Sequence, residues 1–332
     1  MDSAFLQARR EERRRAVRRR RRLAGAAIVL VVVAVLAAVV LAGASSGTGH
    51  DGARVADTSA RAAARRHRNT RSPASSTSGG SSTSTASTQV AGPPGQEPVP
   101  ILMYHVIAAP PAGVPFPGLY VEPAEFAEQM HALKRAGWHA VTLDQVEAYW
   151  RRGVPLGAGK PVVLSFDNGY NSQYTQALPV LRALGWVGDE NLQLSGLPPS
   201  QGGLGQGQIR GLLAAGWELD TQGISHAALI TLDAEQLHYQ VASARQILMQ
   251  RYHVPVNWFC YPSGQYDASV EAAVKAAGFI GSTTVVPGWA HPGEDPYRLH
   301  RLRVLGGTSG QQLLELLAAS REDAPAGASY TA

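Results

Sequence analysis

Seven short apolar runs with β-branched character, at residues 101–104, 140–142, 162–166, 217–219, 256–261, 279–283 and 302–305, are separated by helical patterns over about 220 residues. The stretch 123–136 places Phe126, Met130 and Leu133 on one helical face, and Asp233 with Gln236 reads as a capping box opening a long helix through Arg251. Further helices are expected at 143–152, 172–184, 208–215, 268–277 and 309–318. Strands that alternate with helices imply a parallel sheet. Seven or eight such units in this length suit a (β/α)7–8, distorted TIM-like barrel, closed or nearly closed, better than an open sheet. An eighth strand between residues 187 and 194 is weakly signalled, because Gly188, Asp189, Glu190 and Asn191 are poor strand formers. In such a barrel the chemistry sits at the C-terminal ends of strands. Tyr104 with His105, Asp167 with Asn168, the segment ending in His226, and Tyr261 with Pro262 all fall there.

The flanks have a different character. The first 22 residues hold 10 Arg against Asp2, Glu11 and Glu12, so the net charge of +5 resides in one end and not on a folded face. That distribution argues against nucleic-acid binding. Residues 23–44 carry no charge and are long enough to cross a bilayer as a helix. The Arg-rich flank predicts a cytoplasmic N-terminus and an extracytoplasmic remainder. A cleaved signal peptide is the alternative, with Ala42 and Ala44 as the small-residue pattern, but its apolar region is normally shorter, so an uncleaved anchor is expected. Residues 45–97, rich in Ser, Thr, Gly, Ala, Pro and Arg, read as a disordered stalk, and 321–332 as a disordered tail. The expected folded domain is 98–320. Its single cysteine, Cys260, excludes a disulfide framework and reads as a buried small hydrophobe.

Residues 163–170 read VLSFDNGY, which resembles the TFDDG motif of the polysaccharide deacetylases (the NodB homology domain, carbohydrate esterase family 4). Four more segments are similar to that family in the same order: PILMYHV at 100–106, WELDTQGISHAAL at 217–229, FCYPSGQY at 259–266 and PYRLHRLRV at 296–304. With FAEQMHALKRAGWHAVTL at 126–143, they resemble the branch that includes poly-N-acetylglucosamine deacetylases. The resemblance implies a catalytic base at Asp167 and a divalent metal, usually zinc, held at the positions of Asn168, Gln222 and His226. Only His226 is of the family's ligand type, the other two being amides where the family has Asp and His. Zinc prefers thiolate, imidazole and carboxylate, so each substitution is expected to weaken binding by orders of magnitude unless Asp220 or Asp167 substitutes.

The remaining site candidates follow from position. His105 is expected to orient groups at the barrel mouth or touch the substrate, and Tyr261 to line it. His300 and His291 are the nearby candidates for a general acid that protonates a leaving amine, although neither matches the family's acid motif. Trp289 offers a flat apolar face for stacking on a sugar or, equally, for packing under its loop. The apolar run at 23–44 leads to the expectation of a membrane-anchored, extracytoplasmic protein, and the resemblance implies that it acts on or binds an N-acetylated glycan of cell wall or exopolysaccharide. Three outcomes stay open: an active N-deacetylase hydrolase, a pseudoenzyme that binds glycan, and a ligand-free wall-spanning scaffold.

Overall fold

The computed structural model describes residues 92–195, 197 and 202–321. The expected basic tail, the apolar run at 23–44, most of the stalk and residues 322–332 lie outside the described residues. Among the described residues, no helix is long and apolar enough to cross a membrane.

All eight expected strands form, and every pairing between them is parallel. They are β1 (Ile101–Tyr104), β2 (Trp138–Val141), β3 (Lys160–Asn168), β4 (Asp189–Leu192), β5 (Glu218–Thr221), β6 (Trp258–Cys260), β7 (Gly281–Thr283) and β8 (Leu302–Arg303). The sheet runs β7-β6-β5-β4-β3-β1-β8, with β2 on β3. The expected distorted α/β barrel is present as a parallel half-barrel, with β2 displaced from the strand order. Val163 of β3 pairs with Ile101 of β1 and with Val141 of β2, so β1 and β2 lie on opposite edges, and β2 shares its edge with β4, which begins two residues higher at Ser165. The result is a curled parallel half-barrel. Its ends meet where Thr283 bridges to Leu299, just before the chain joins β1 as β8.

Strand parity explains the layers. Outward residues Leu102, Tyr104, Leu164 and Phe166 pack with Phe126, Met130 and Leu133 of α1 (Pro123–Arg135), the helical face read from the sequence. Inward residues Ile101, Val141, Val163, Trp258 and Leu299 fill the N-terminal end of the barrel. A second outer cluster sets Leu219 and Phe259 against Leu237, Val241, Leu248, Val270 and Val274. Fully burying each such side chain contributes about 1.5–3 kcal/mol.

In the weakly signalled strand β4, Asp189 and Asn191 have polar partners, whereas both carboxyl oxygens of the buried Glu190 have no hydrogen-bond partner. Helix α2 (Leu143–Arg152) starts beside it, and its first amides are taken by carboxylates: Leu143 N–H donates to Asp189 Oδ2 at 2.9 Å and Asp144 N–H to Glu218 Oε2 at 3.0 Å. Acids at a helix N-terminus also meet the favourable end of its dipole. The remaining helices are α3 (Leu178–Leu184), α4 (Gln206–Ala214), α5 (Ala234–His238), α6 (Ala244–Tyr252), α7 (Ala268–Ala276) and α8 (Gly310–Ala319). The expected long helix from Asp233 is interrupted by a π turn at Tyr239–Ser243, and a second π turn at Gln173–Ala177 leads into α3. At Asp233 only the N-cap bond to Gln236 N–H forms, so the expected reciprocal box is half made.

Candidate functional site

A cleft of about 910 Å³ opens at the C-terminal ends of the strands, bounded by His105, Asp167, Asn168, Gln222, His226 and the loop 114–120. Inward parity along β3 and β5 delivers Asp167 and Gln222 to its floor. The two π turns brace its rim, each through a glutamine, in keeping with the frequency of such turns at functional sites. Gln173 donates from Nε2 to the carbonyls of His105 and Asp167, at 2.9 and 2.8 Å. Gln240 accepts from Ser225 N–H at 3.0 Å and donates to Ser225 Oγ at 2.8 Å, which fixes the residue next to His226. His226 and Asn168 both hold positive φ, 53° and 78°, uncommon for non-glycine residues and typical of constrained sites.

Asp167 is the hub. Arg301 grips it with both terminal nitrogens, at 2.8 Å to Oδ1 and 3.0 Å to Oδ2, and Asn191 donates to Oδ1 at 2.9 Å. Gln222 donates to Oδ2 at 3.3 Å, and His105 Nε2 lies 3.9 Å from the same oxygen. Burial alone would raise this carboxyl, but the Arg301 guanidinium, with His105 and the hydrogen bonds, outweighs it and holds the pKa down at about 2. Burial pushes His105 down to about 4, against the pull of Asp167, and also lowers His226, so both imidazoles are neutral at pH 7. Cys260 is buried as expected, and burial raises its thiol to about 12. Its sulfur accepts from Gln222 Nε2 and Arg301 Nη2, both at 3.2 Å.

The ligand positions inherited from the family come together but do not fit zinc. Asn168 donates to Gln193 at 3.0 Å, and the Gln222 amide nitrogen is spent on Asp167 and Cys260. What remains is one imidazole and two neutral amide oxygens, of which the buried Gln222 Oε1 has no hydrogen-bond partner. The two acids considered as substitutes are engaged elsewhere. Asp167 is clamped by Arg301, and Asp220 lies two residues deeper along β5, accepting from Trp258 N–H at 2.8 Å. No group of three His, Cys, Asp or Glu side chains among the described residues is arranged to hold a metal ion.

Tyr261 is among the residues that line the cleft, as expected. Its ring stacks on Tyr266 at 4.7 Å and its hydroxyl donates to Tyr297 O at 3.1 Å, so the side chain is buried at the cleft wall. Other expected site residues are elsewhere. Trp289 sits at the opposite end of the barrel, beside the bridge between Val99 and Ala290. There it is 6% exposed, meets Trp138 edge to face and donates to Leu317 O at 3.1 Å. Packing is its role. His291 follows it at that end, its backbone N–H donating to Glu294 at 3.2 Å, and does not line the cleft. Adjacent to the inward Arg301, His300 points away and bonds Glu294, so neither histidine reaches Asp167.

Sequence reasoning missed Arg301, Asn191, Arg303 and Phe116. The signal for Arg301 was present: with Leu302 in the outer core, residue 301 must face inward, and a buried Arg requires an acid, whereas Arg303 shares that parity but is exposed at the cleft. Phe116, 70% exposed on the cleft loop, is the aromatic at the mouth that Trp289 is not.

A polysaccharide deacetylase family model matches residues 157–281. The chain is 26% identical over 212 residues to "Putative polysaccharide deacetylase YxkH" of Bacillus subtilis (strain 168), covering 64% of this chain and 73% of that protein. A shorter stretch of 66 residues is 39% identical to the poly-beta-1,6-N-acetyl-D-glucosamine N-deacetylase of Escherichia coli (strain K12), which is 20% of this chain and 10% of that protein. In fold, the chain superposes on the Streptococcus pyogenes deacetylase PplD, solved in complex with acetate, with TM-score 0.60 at 23% identity, over 67% of this chain and 99% of that one. Together with the motifs in order from 98 to 305, these likenesses make the chain a member of the polysaccharide deacetylase family.

Proposed function

We propose that this protein binds an N-acetylated glycan of cell wall or exopolysaccharide at the barrel mouth and has lost the metal-dependent hydrolysis of its relatives. The observation that carries the reading is the state of the inherited metal positions: two are neutral amides whose nitrogens already bond protein groups, and Asp167 is clamped by Arg301. A hydrolytic site needs a Lewis acid with an open position to activate water and stabilise the oxyanion, and this donor set binds zinc poorly. The cleft itself is retained, with Ser225, Gln193 and Tyr170 around it as hydrogen-bonding side chains, which favours a ligand over an empty scaffold. Similarity to a poly-N-acetylglucosamine N-deacetylase supports an N-acetylglucosamine polymer as the ligand class. We also propose that residues 23–44 anchor the chain, with the barrel outside the membrane.

The test is zinc content and calorimetry on the full chain. The natural sequence is expected to retain no stoichiometric zinc, to bind N-acetylglucosamine oligomers and to release no acetate from them. N168D/Q222H restores the family's ligand types and is expected to gain zinc affinity by orders of magnitude. Stoichiometric zinc or acetate release with the natural sequence overturns the proposal in favour of an active hydrolase.

A further inference from the structure

Among the described residues that line the cleft, Arg303 is a solvent-exposed cation with no acid paired to it. Arg303 is the inward residue that follows Arg301 on β8, pairs in register with Met103 and lines the cleft. It makes no hydrogen bond or ion pair among the described residues, whereas Arg301 is consumed by Asp167. Asp167 is the only acid among the described residues lining the cleft. The two cleft imidazoles, His105 and His226, add no negative charge. The cleft loop bearing the exposed Phe116 is tied to the segment after β8 by Gly306 N–H donating to Gly118 O at 3.0 Å. A guanidinium and a flat apolar face thus line one cleft.

From this juxtaposition we infer that the glycan is acidic: a sugar carboxylate is read by Arg303 while a pyranose ring lies against Phe116. Arg suits the role because its planar fork accepts a carboxylate through two donors, and an aromatic face suits the C–H surface of a sugar. The inference rests on the glycan-binding reading above and names its ligand class. The carboxylate could be the lactyl ether of a muramic acid or the C6 group of a uronic acid, which share this chemistry.

Calorimetry on the full chain separates the possibilities. The probes are an N-acetylglucosamine–N-acetylmuramic acid tetrasaccharide, an N-acetylglucosamine–glucuronic acid tetrasaccharide, and the carboxyl-reduced alcohol of each. At least one acid form is expected to bind tenfold or more tighter than its alcohol, as a charge-assisted hydrogen bond implies, and which one identifies the source. R303Q is expected to bring that acid's affinity down to within about threefold of its alcohol, while R303K, which keeps the charge but loses the fork, retains an intermediate preference. Equal binding of acid and alcohol by the natural protein, or a preference that survives in a folded R303Q, overturns the inference and leaves the cleft as a neutral-glycan site. Failure to bind any of the four probes or neutral N-acetylglucosamine oligomers overturns both this inference and the function it rests on.

Discussion

Replacing Arg301 with Gln tests the arrangement on which the site depends. The ion pair is bidentate and enclosed, with Arg301 0% and Asp167 2% exposed. Removing one partner of such a pair typically costs about 3–5 kcal/mol, because a buried charge is left uncompensated. Here Asn191 and Gln222 still donate to the carboxylate, so the loss is expected near the lower end, about 3 kcal/mol. The pH dependence gives a second handle. Asp167 titrates at about 2 in the folded protein against 3.8 for the free side chain, so it contributes about 2 kcal/mol that is present above pH 3.8 and lost as the pH falls toward 2. In R301Q the guanidinium is gone and burial dominates, so the carboxyl rises above its free value. That contribution then changes sign, and ionisation at rising pH becomes destabilising. D167N alone strands the guanidinium, while R301Q/D167N leaves two neutral groups and is expected to cost at least about 2 kcal/mol less than the sum of the single changes. Urea unfolding at pH 3 and pH 7 measures all four proteins. Single losses that add within about 0.5 kcal/mol would refute the coupling.

Two further outcomes follow from buried groups outside the cleft floor. Burial, then the neighbouring Asp144, raises Glu218 from 4.5 to about 7, and Asp189 and Asp220 shift upward as well. A folded pKa above the unfolded one means stability is intact below pH 4.5 and declines as the pH climbs through 7, by on the order of 3 kcal/mol for Glu218. Urea midpoints should therefore fall between pH 5 and pH 8, and E218Q should flatten the decline; an unchanged midpoint would contradict it. Trp289→Ala should lower stability by about 3–5 kcal/mol through lost core packing without altering glycan affinity. A binding defect in a folded W289A protein would return Trp289 to the site.

What the sequence reveals here depends on whether a residue acts through local pattern or through distant partners. Most strand and helix positions were legible from periodicity, whereas at 187–194 a strand forms although its residues argued against one. Asn168 and Gln222 were legible as departures from a motif. The placement of β2 was not, because nothing in WHAV at 138–141 distinguishes one edge of β3 from the other. Misplacing Trp289, His291 and His300 has a related cause. The loop after β7 returns to the far end of the barrel to bridge Val99, a contact nearly 200 residues away in sequence that no local signal announces.

The carboxylates that hold the start of α2 make β4 hard to replace with an aliphatic strand. Were residues 189–191 made aliphatic, the helix would lose its Asp189 acceptor at Leu143, and Glu218 and Asp220 would face a greasier neighbour across the sheet. Such a change reaches the helix start and the next strand at once, so it cannot be made in β4 alone. A laboratory attempt to install the family's zinc ligands should therefore begin at the mouth and leave that layer untouched.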